Sequence, residues 1–149
     1  MDIGLSGKNV VVTGAGRSIG QEIAIGFAEV GANVIGVDII DLTDTGEKVS
    51  AVGGGWSAYN ADLADPGSLQ ETCGKLIAAH GTVDALVNNA APYGGLKMMP
   101  MDQIDLDIWD QVMNINVRGT YLMVRNLMPA LIEATGKVIN IASGSALRG

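Results

Sequence analysis

Residues 10–20, VVVTGAGRSIG, decide how the rest of the chain reads. A short β-branched apolar run has the make-up of a buried strand, and it breaks at Gly14 and Gly16 before a helical pattern starts near Ser18. A strand that feeds a helix through glycines makes an anion site. The first amides of a helix lack intrahelical partners and carry the positive end of its dipole. Glycines let the backbone approach the anion with no Cβ in the way. The spacing fails the pattern G-x-G-x-x-G, which would need glycine where Ile19 stands. It fits the wider pattern T-G-x-x-x-G-x-G from Thr13 to Gly20, with Ser18 replacing the middle glycine. Taken alone, such a loop is equally compatible with an ordinary strand-to-helix turn.

The flanking sequence supplies the context. Residues 8–12 read as the first strand and 18–30 as the first helix, with Ile19, Ile23, Phe27 and Val30 on one stripe and Gly31 as its stop. Residues 33–37 form a second buried strand ending in Asp38. That acid lies 18 residues past Gly20, about where a dinucleotide fold places the carboxylate that accepts from the adenosine ribose hydroxyls. An aspartate that merely opens a turn is the plainer alternative. Helix 42–51, strand 56–60 and helix 66–79 follow, the last carrying Leu69, Cys73, Leu76 and Ile77 at helical spacing. Strand 83–87 runs into Asn88, Asn89, Ala90 and Ala91. After a loop with Pro92, Gly94, Gly95 and Pro100, a long helical pattern spans 106–134, and 137–142 is a fifth strand.

Strands that are nearly all apolar, alternating with helices, predict an α/β fold: a Rossmann-like, doubly wound parallel sheet between two helical layers. Right-handed crossovers give the strand order 3-2-1-4-5 and place the ligand at the carboxyl ends of strands one and four. Gly14 to Gly20, Asp38, Asp62 and Asn88 to Ala91 all follow strand ends on that edge. No repeat, low-complexity tract or linker divides the chain, which reads as a single domain over 1–149.

Of the 149 residues, 48% are hydrophobic and 17% charged, and the mean hydropathy is +0.29, as expected for strands buried on both faces. A net charge of -7 and a pI near 4.4 argue against nucleic acid as a partner, since phosphate-backbone binding needs clustered Lys and Arg. No apolar run approaches the roughly 18 residues of a membrane span, and the first residues lack a leader pattern. A soluble, cytoplasmic protein is expected. Cys73 has no cysteine partner, and no Cys/His spacing suits a metal. Cys73 and His80 read as a helix residue and a surface histidine.

With these residues in place, the chain resembles the short-chain dehydrogenase/reductase family, one-domain type, over essentially its whole length. Thr13, Gly14, Ile19 and Gly20 match the family's cofactor loop, with Ser18 departing from it. Asp62 and Leu63 match its adenine-contacting pair, and Asn88-Asn89-Ala90-Ala91 its N-N-A-G motif with Ala91 replacing glycine. Asn116, in WDQVMNINVRG, falls at its active-site asparagine, and Ser143, in KVINIASGS, at its catalytic serine. The resemblance implies hydride transfer between a nicotinamide cofactor and an alcohol or ketone. Cofactor contacts would come from Gly14, Arg17, Ser18, Ile19, Gly20, Asp38, Asp62, Leu63, Asn89 and Ala90. Ser143 would hydrogen-bond the substrate oxygen and Asn116 would support a water-linked proton path. A homodimer or tetramer is implied, with the helix from Leu106 in its interface.

Individual residues keep plainer alternatives. Asn88 and Asn89 would also serve to satisfy backbone groups at a strand end, and Asn116 to bond a nearby carbonyl within its helix. Arg118 and Arg125 are read as solvated. The resemblance further implies a Tyr-x-x-x-Lys motif after the serine. None follows Ser143 before Gly149, so the chain reads as truncated ahead of it, and Tyr59, Tyr93 and Tyr121 are not taken as substitutes. A polypeptide of these residues alone is expected to be catalytically silent and prone to associate through uncovered apolar faces. The alternative from another class is a dinucleotide-binding sensor or partner-docking module without turnover.

Two signals oppose each other on cofactor choice. Arg17 stands where the family's NADP-dependent members often carry a basic residue, and Asp38 where its NAD-dependent members carry an acid. The carboxylate would repel a 2′-phosphate directly, while the arginine is long enough to swing away, so NAD is expected over NADP. Ser18 is expected at negative φ, with its hydroxyl on phosphate.

Overall fold

The computed structural model describes residues 3–92, 96 and 99–144; Tyr93, Gly94 and Gly95 of the predicted loop lie outside them. In chain order the elements are β1 (Asn9–Thr13), α1 (Ser18–Glu29), β2 (Asn33–Asp38), α2 (Thr43–Ala51), β3 (Gly55–Asn60), α3 (Pro66–His80) and β4 (Ala85–Asn88). A 3-10 turn (Met101–Gln103), α4 (Leu106–Met113), a π-helical segment (Asn114–Gly119), α5 (Thr120–Ala134) and β5 (Lys137–Asn140) complete them. The strands form one parallel sheet in the order β3-β2-β1-β4-β5. This is the doubly wound topology that the alternation of strands and helices implied.

Side chains alternate across the sheet with the two-residue period of a strand. Val10, Val12, Val34, Ala85 and Val87 face the layer of α1 and α2, where Ala24, Ala28, Leu42 and Val49 cover them. Val11, Ile35, Val37 and Leu86 face α3 and α5, under Leu69, Cys73, Leu76, Met123, Leu127 and Leu131. Burial pushes the Cys73 thiol up to about 11. Among the described residues, no helix is long and apolar enough to cross a membrane.

Three details differ from the expected pattern. The buried face of α1 is Gly20, Gln21, Ala24 and Ala28, not the stripe through Ile19 and Val30, and Ile19 is 63% exposed. Small residues at that spacing let the helix lie close on the sheet. The long helix 106–134 is interrupted by a π-helical turn at Asn114–Gly119, which widens the coil by a residue. At its end Gly119 packs so closely on the loop after β3 that a Cβ there would stand 2.8 Å from the Leu63 carbonyl oxygen. Finally, His80 is half-buried rather than on the surface, its ring edge-on to Tyr59 and its Nε2 3.3 Å from the Tyr59 hydroxyl.

Candidate dinucleotide site

The winding direction reverses between β1 and β4, and the turns that leave these two strands are cross-bonded. The Thr13 hydroxyl accepts from the backbone N–H of Asn89 at 3.0 Å and of Ala90 at 3.1 Å, and donates to the Val87 carbonyl at 3.3 Å. Asn89 returns its side-chain amide to the carbonyls of Thr13 at 3.0 Å and Gly14 at 3.3 Å. Gly14 has φ +68, and a Cβ there would stand 2.8 Å from Ala90 Cα. Glycine at this position therefore serves both the left-handed turn and the close approach of the two turns. A Cβ on Gly20 would run into the Gly14 carbonyl oxygen, so the start of α1 folds directly over the loop.

The helix that leaves the loop has an open N-terminus. Arg17, its N-cap, is extended, no side chain caps the first turn, and no acidic residue stands in it. Unfilled amides at the positive end of a helix, floored by glycines, fit a pyrophosphate. Ser18, however, has φ +53, in the left-handed region, which corrects the expectation of negative φ. The chain must turn from extended Arg17 into the helix within one residue. The family's glycine meets that need without strain, whereas serine carries about 1 kcal/mol or more.

Asp38, at the end of β2, reaches toward this loop. Its Oδ2 accepts from the Gly16 N–H at 2.8 Å, and its Oδ1 from the amides of Ile39 at 2.7 Å and Ile40 at 3.2 Å. The carboxylate therefore braces the glycine loop while standing beside it. Asp62, after β3, accepts from the Ala64 N–H at 2.8 Å. Leu63 is 6% exposed, with its side chain in the core and its carbonyl against Gly119.

Asn116 lies exposed in the π-helical turn. That turn is anchored to the loop after β3 by Gly119 and by Arg118, whose Nη2 donates to the Ala64 carbonyl at 3.2 Å. Arg118 is thus not merely solvated. Ser143 is exposed, three residues past the end of β5. Gly14, Arg17, Ser18, Ile19, Gly20, Asp38, Asn89 and Ala90 gather around one pair of turns, and Asn116 is exposed on the π-helical turn whose Arg118 and Gly119 meet the loop of Asp62 and Leu63.

The spacing Tyr-x-x-x-Lys does occur once in the sequence, at Tyr93 and Lys97. Both lie outside the described residues, and the pair precedes Ser143 where the family's motif follows its serine. Among the described residues no group of three or more His, Cys, Asp or Glu side chains could hold a metal ion.

Sequence reasoning missed two buried polar residues behind the loop. Thr45 on α2 donates its hydroxyl to the Ala15 carbonyl at 2.8 Å, and Gln21 on α1 donates to Thr45 Oγ1 at 2.8 Å. Their only signal in the sequence is a polar type at a buried helical position.

Comparison with known proteins agrees with this geometry. The family model described as short chain dehydrogenase matches residues 8–149. The 2-dehydro-3-deoxy-D-gluconate 5-dehydrogenase of Dickeya dadantii (strain 3937) is 35% identical over 97% of this chain, which spans 57% of that protein's length. The structure of an NAD+-bound xylitol dehydrogenase superposes with a TM-score of 0.91 at 27% identity, covering 98% of this chain and 56% of that one. A metagenomic short-chain oxidoreductase in complex with NADP gives a TM-score of 0.83 at 35% identity, covering 93% and 63%. Sheet order, switch-point loop and relatives agree in one assignment: the chain belongs to the short-chain dehydrogenase/reductase family.

Proposed function

We propose that the protein represented by this chain is an NAD-preferring oxidoreductase that interconverts a small alcohol and its carbonyl compound. The observation that carries the reading is the convergence of the uncapped start of α1, the glycine loop and the Asp38 carboxylate at the switch point of the sheet. The nicotinamide, when bound, supplies the hydride acceptor or donor. The chain's own residues bind and orient. Amides from Ser18 to Gly20 would hold the pyrophosphate with Arg17 beside it, and Asp38 would accept from the adenosine ribose hydroxyls. Asp62, the Leu63 backbone and Ala90 would border the adenosine. By resemblance, Ser143 hydrogen-bonds the substrate oxygen and Asn116 supports the proton path; both position groups without changing their own charge.

Self-association belongs to the same reading. Leu106, Trp109, Val117, Tyr121, Met128 and Ile132 are between 42% and 76% exposed at helical spacing along α4, the π-helical turn and α5. An exposed apolar stripe of this kind, broken by the exposed Arg125, supports pairing with a second copy.

Calorimetric titration of the chain with NAD and with NADP tests the reading. NAD is expected to bind about tenfold tighter or better, a difference of about 1.4 kcal/mol. Equal or tighter binding of NADP would reject the placement of Asp38, and failure to bind either would reject the site.

A further inference from the structure

We propose that Thr45 is a positioning residue for the Asp38 carboxylate, acting through the Ala15–Gly16 peptide, and so helps to set which dinucleotide the loop accepts. The inference rests on the reading above that this loop holds a dinucleotide.

The Ala15–Gly16 peptide is held at both ends. Its carbonyl accepts from the Thr45 hydroxyl at 2.8 Å, and its N–H donates to Asp38 Oδ2 at 2.8 Å. A trans peptide is a rigid plane whose C=O and N–H point in opposite directions, and no peptide among the described residues is cis. Fixing the carbonyl therefore aims the N–H. If Thr45 released the Ala15 carbonyl, the plane could rotate and carry the Gly16 N–H off the carboxylate.

The Thr45 hydroxyl is itself constrained. It accepts from Gln21 Nε2 at 2.8 Å, so its one proton is left for Ala15. Gln21 cannot flip, because Oε1 accepts from Lys48 Nζ at 2.8 Å while Nε2 also donates to Asp44 Oδ2 at 2.8 Å. Thr45 is 0% and Gln21 7% exposed, so water does not stand in for either. Every donor between the Lys48 ammonium and the Ala15 carbonyl points the same way, an arrangement in which each bond strengthens the next.

At the far end, Asp38 Oδ1 is held by the amides of Ile39 and Ile40 and Oδ2 only by Gly16 among the described residues. A carboxylate fixed through both oxygens cannot turn away from a 2′-phosphate. One freed at Oδ2 can, and it then discriminates less.

The test compares the unmodified chain with Thr45→Val, which keeps the shape and removes the hydroxyl, and Thr45→Ser, which restores it. NAD and NADP are titrated into each, and hydrogen exchange of the Gly16 amide is followed without ligand. Thr45→Val is expected to shrink the NAD-to-NADP affinity ratio about fivefold, the worth of one ordinary buried hydrogen bond, and to speed Gly16 exchange. Thr45→Ser should keep both near the starting values. Equal weakening of both dinucleotides with the ratio intact, or unchanged Gly16 exchange in Thr45→Val, would overturn the proposal. Should Thr45→Val fail to fold, Thr45→Ala, which also removes the hydroxyl, is expected to move ratio and exchange in the same direction; no movement would overturn it. Absence of binding by the unmodified chain would instead reject the dinucleotide reading, and the Gly16 exchange rates would still decide whether Thr45 aims that amide.

Discussion

Asn88 donates through Nδ2 to the side-chain oxygen of Asn140 at 2.9 Å, across a register that sets the two residues opposite each other on β4 and β5. Asn88 is 5% exposed, and its own Oδ1 finds no hydrogen-bond partner among the described residues. The pair therefore already carries one unmatched buried oxygen. Asn140→Leu would add unmatched amide hydrogens and is expected to lower stability by about 1–2 kcal/mol in urea unfolding. Replacing both residues by leucine should recover part of that loss, and strictly additive effects would show that the two side chains are not coupled.

Ser18 gives a prediction of opposite sign. At φ +53 a serine is strained and a glycine is not, so Ser18→Gly is expected to stabilise the chain by about 1 kcal/mol. Ser18→Val, β-branched at the same dihedral, should destabilise it by more. Denaturation midpoints of the two variants should fall on either side of the unmodified protein.

The bonds made by Asp38 complicate the obvious specificity variant. Asp38→Ser removes the charge proposed to face the ribose but also the acceptors for Gly16, Ile39 and Ile40. Stability is expected to fall by about 1–3 kcal/mol. The proposed preference for NAD should shrink or reverse, because a 2′-phosphate would no longer meet a carboxylate and Arg17 remains. Titration with both dinucleotides under conditions where the variant is fully folded separates the two effects.

His80 sets a pH dependence. Burial holds its imidazole below the usual range, so folding favours the neutral ring. The unfolded chain takes up its proton near pH 6.5 while the folded chain does not. The contribution is therefore fully present above that pH and is lost as pH falls toward the folded value. Urea midpoints should decline on acidification below about pH 6.5, and His80→Gln should flatten that slope.

Trp56 occupies a slot whose walls are glycines. A Cβ on Gly36 of β2 would overlap the indole at Cη2, and one on Gly46 of α2 would stand 2.6 Å from Nε1. Gly36→Ala is expected to cost about 1–3 kcal/mol and to push the ring outward. A red shift of tryptophan fluorescence would report the displacement; unchanged emission would mean that β2 moves instead.

Much of this was legible in the sequence because it depends on local composition. Continuous apolar runs fix which segments are strands, although β5 is exposed here, and their alternation with helices fixes the order of the sheet. Gly14, Asp38 and Asn89 follow strand ends, so chain order alone brings them to one edge. What escaped depends on contacts between distant segments. The dihedral of Ser18 follows from how α1 must dock on the sheet, and nothing in the residue type announces it. Likewise the bond from Thr45 to Ala15 spans 30 positions and leaves no periodic trace. The π-helical turn is similarly silent, since its residues continue a helical pattern while the contact that accompanies it, Gly119 seated on Leu63, lies on another loop.

The cross-bonding through Thr13 and Asn89 has a dynamic consequence. The Asn89 and Ala90 amides are satisfied by a side chain of the opposite turn, and the Gly14 N–H by the Val37 carbonyl of β2. Neither turn can fray while the other stays closed, so the floor of the cleft should open as one cooperative unit. Exchange rates at these amides should rise together with denaturant.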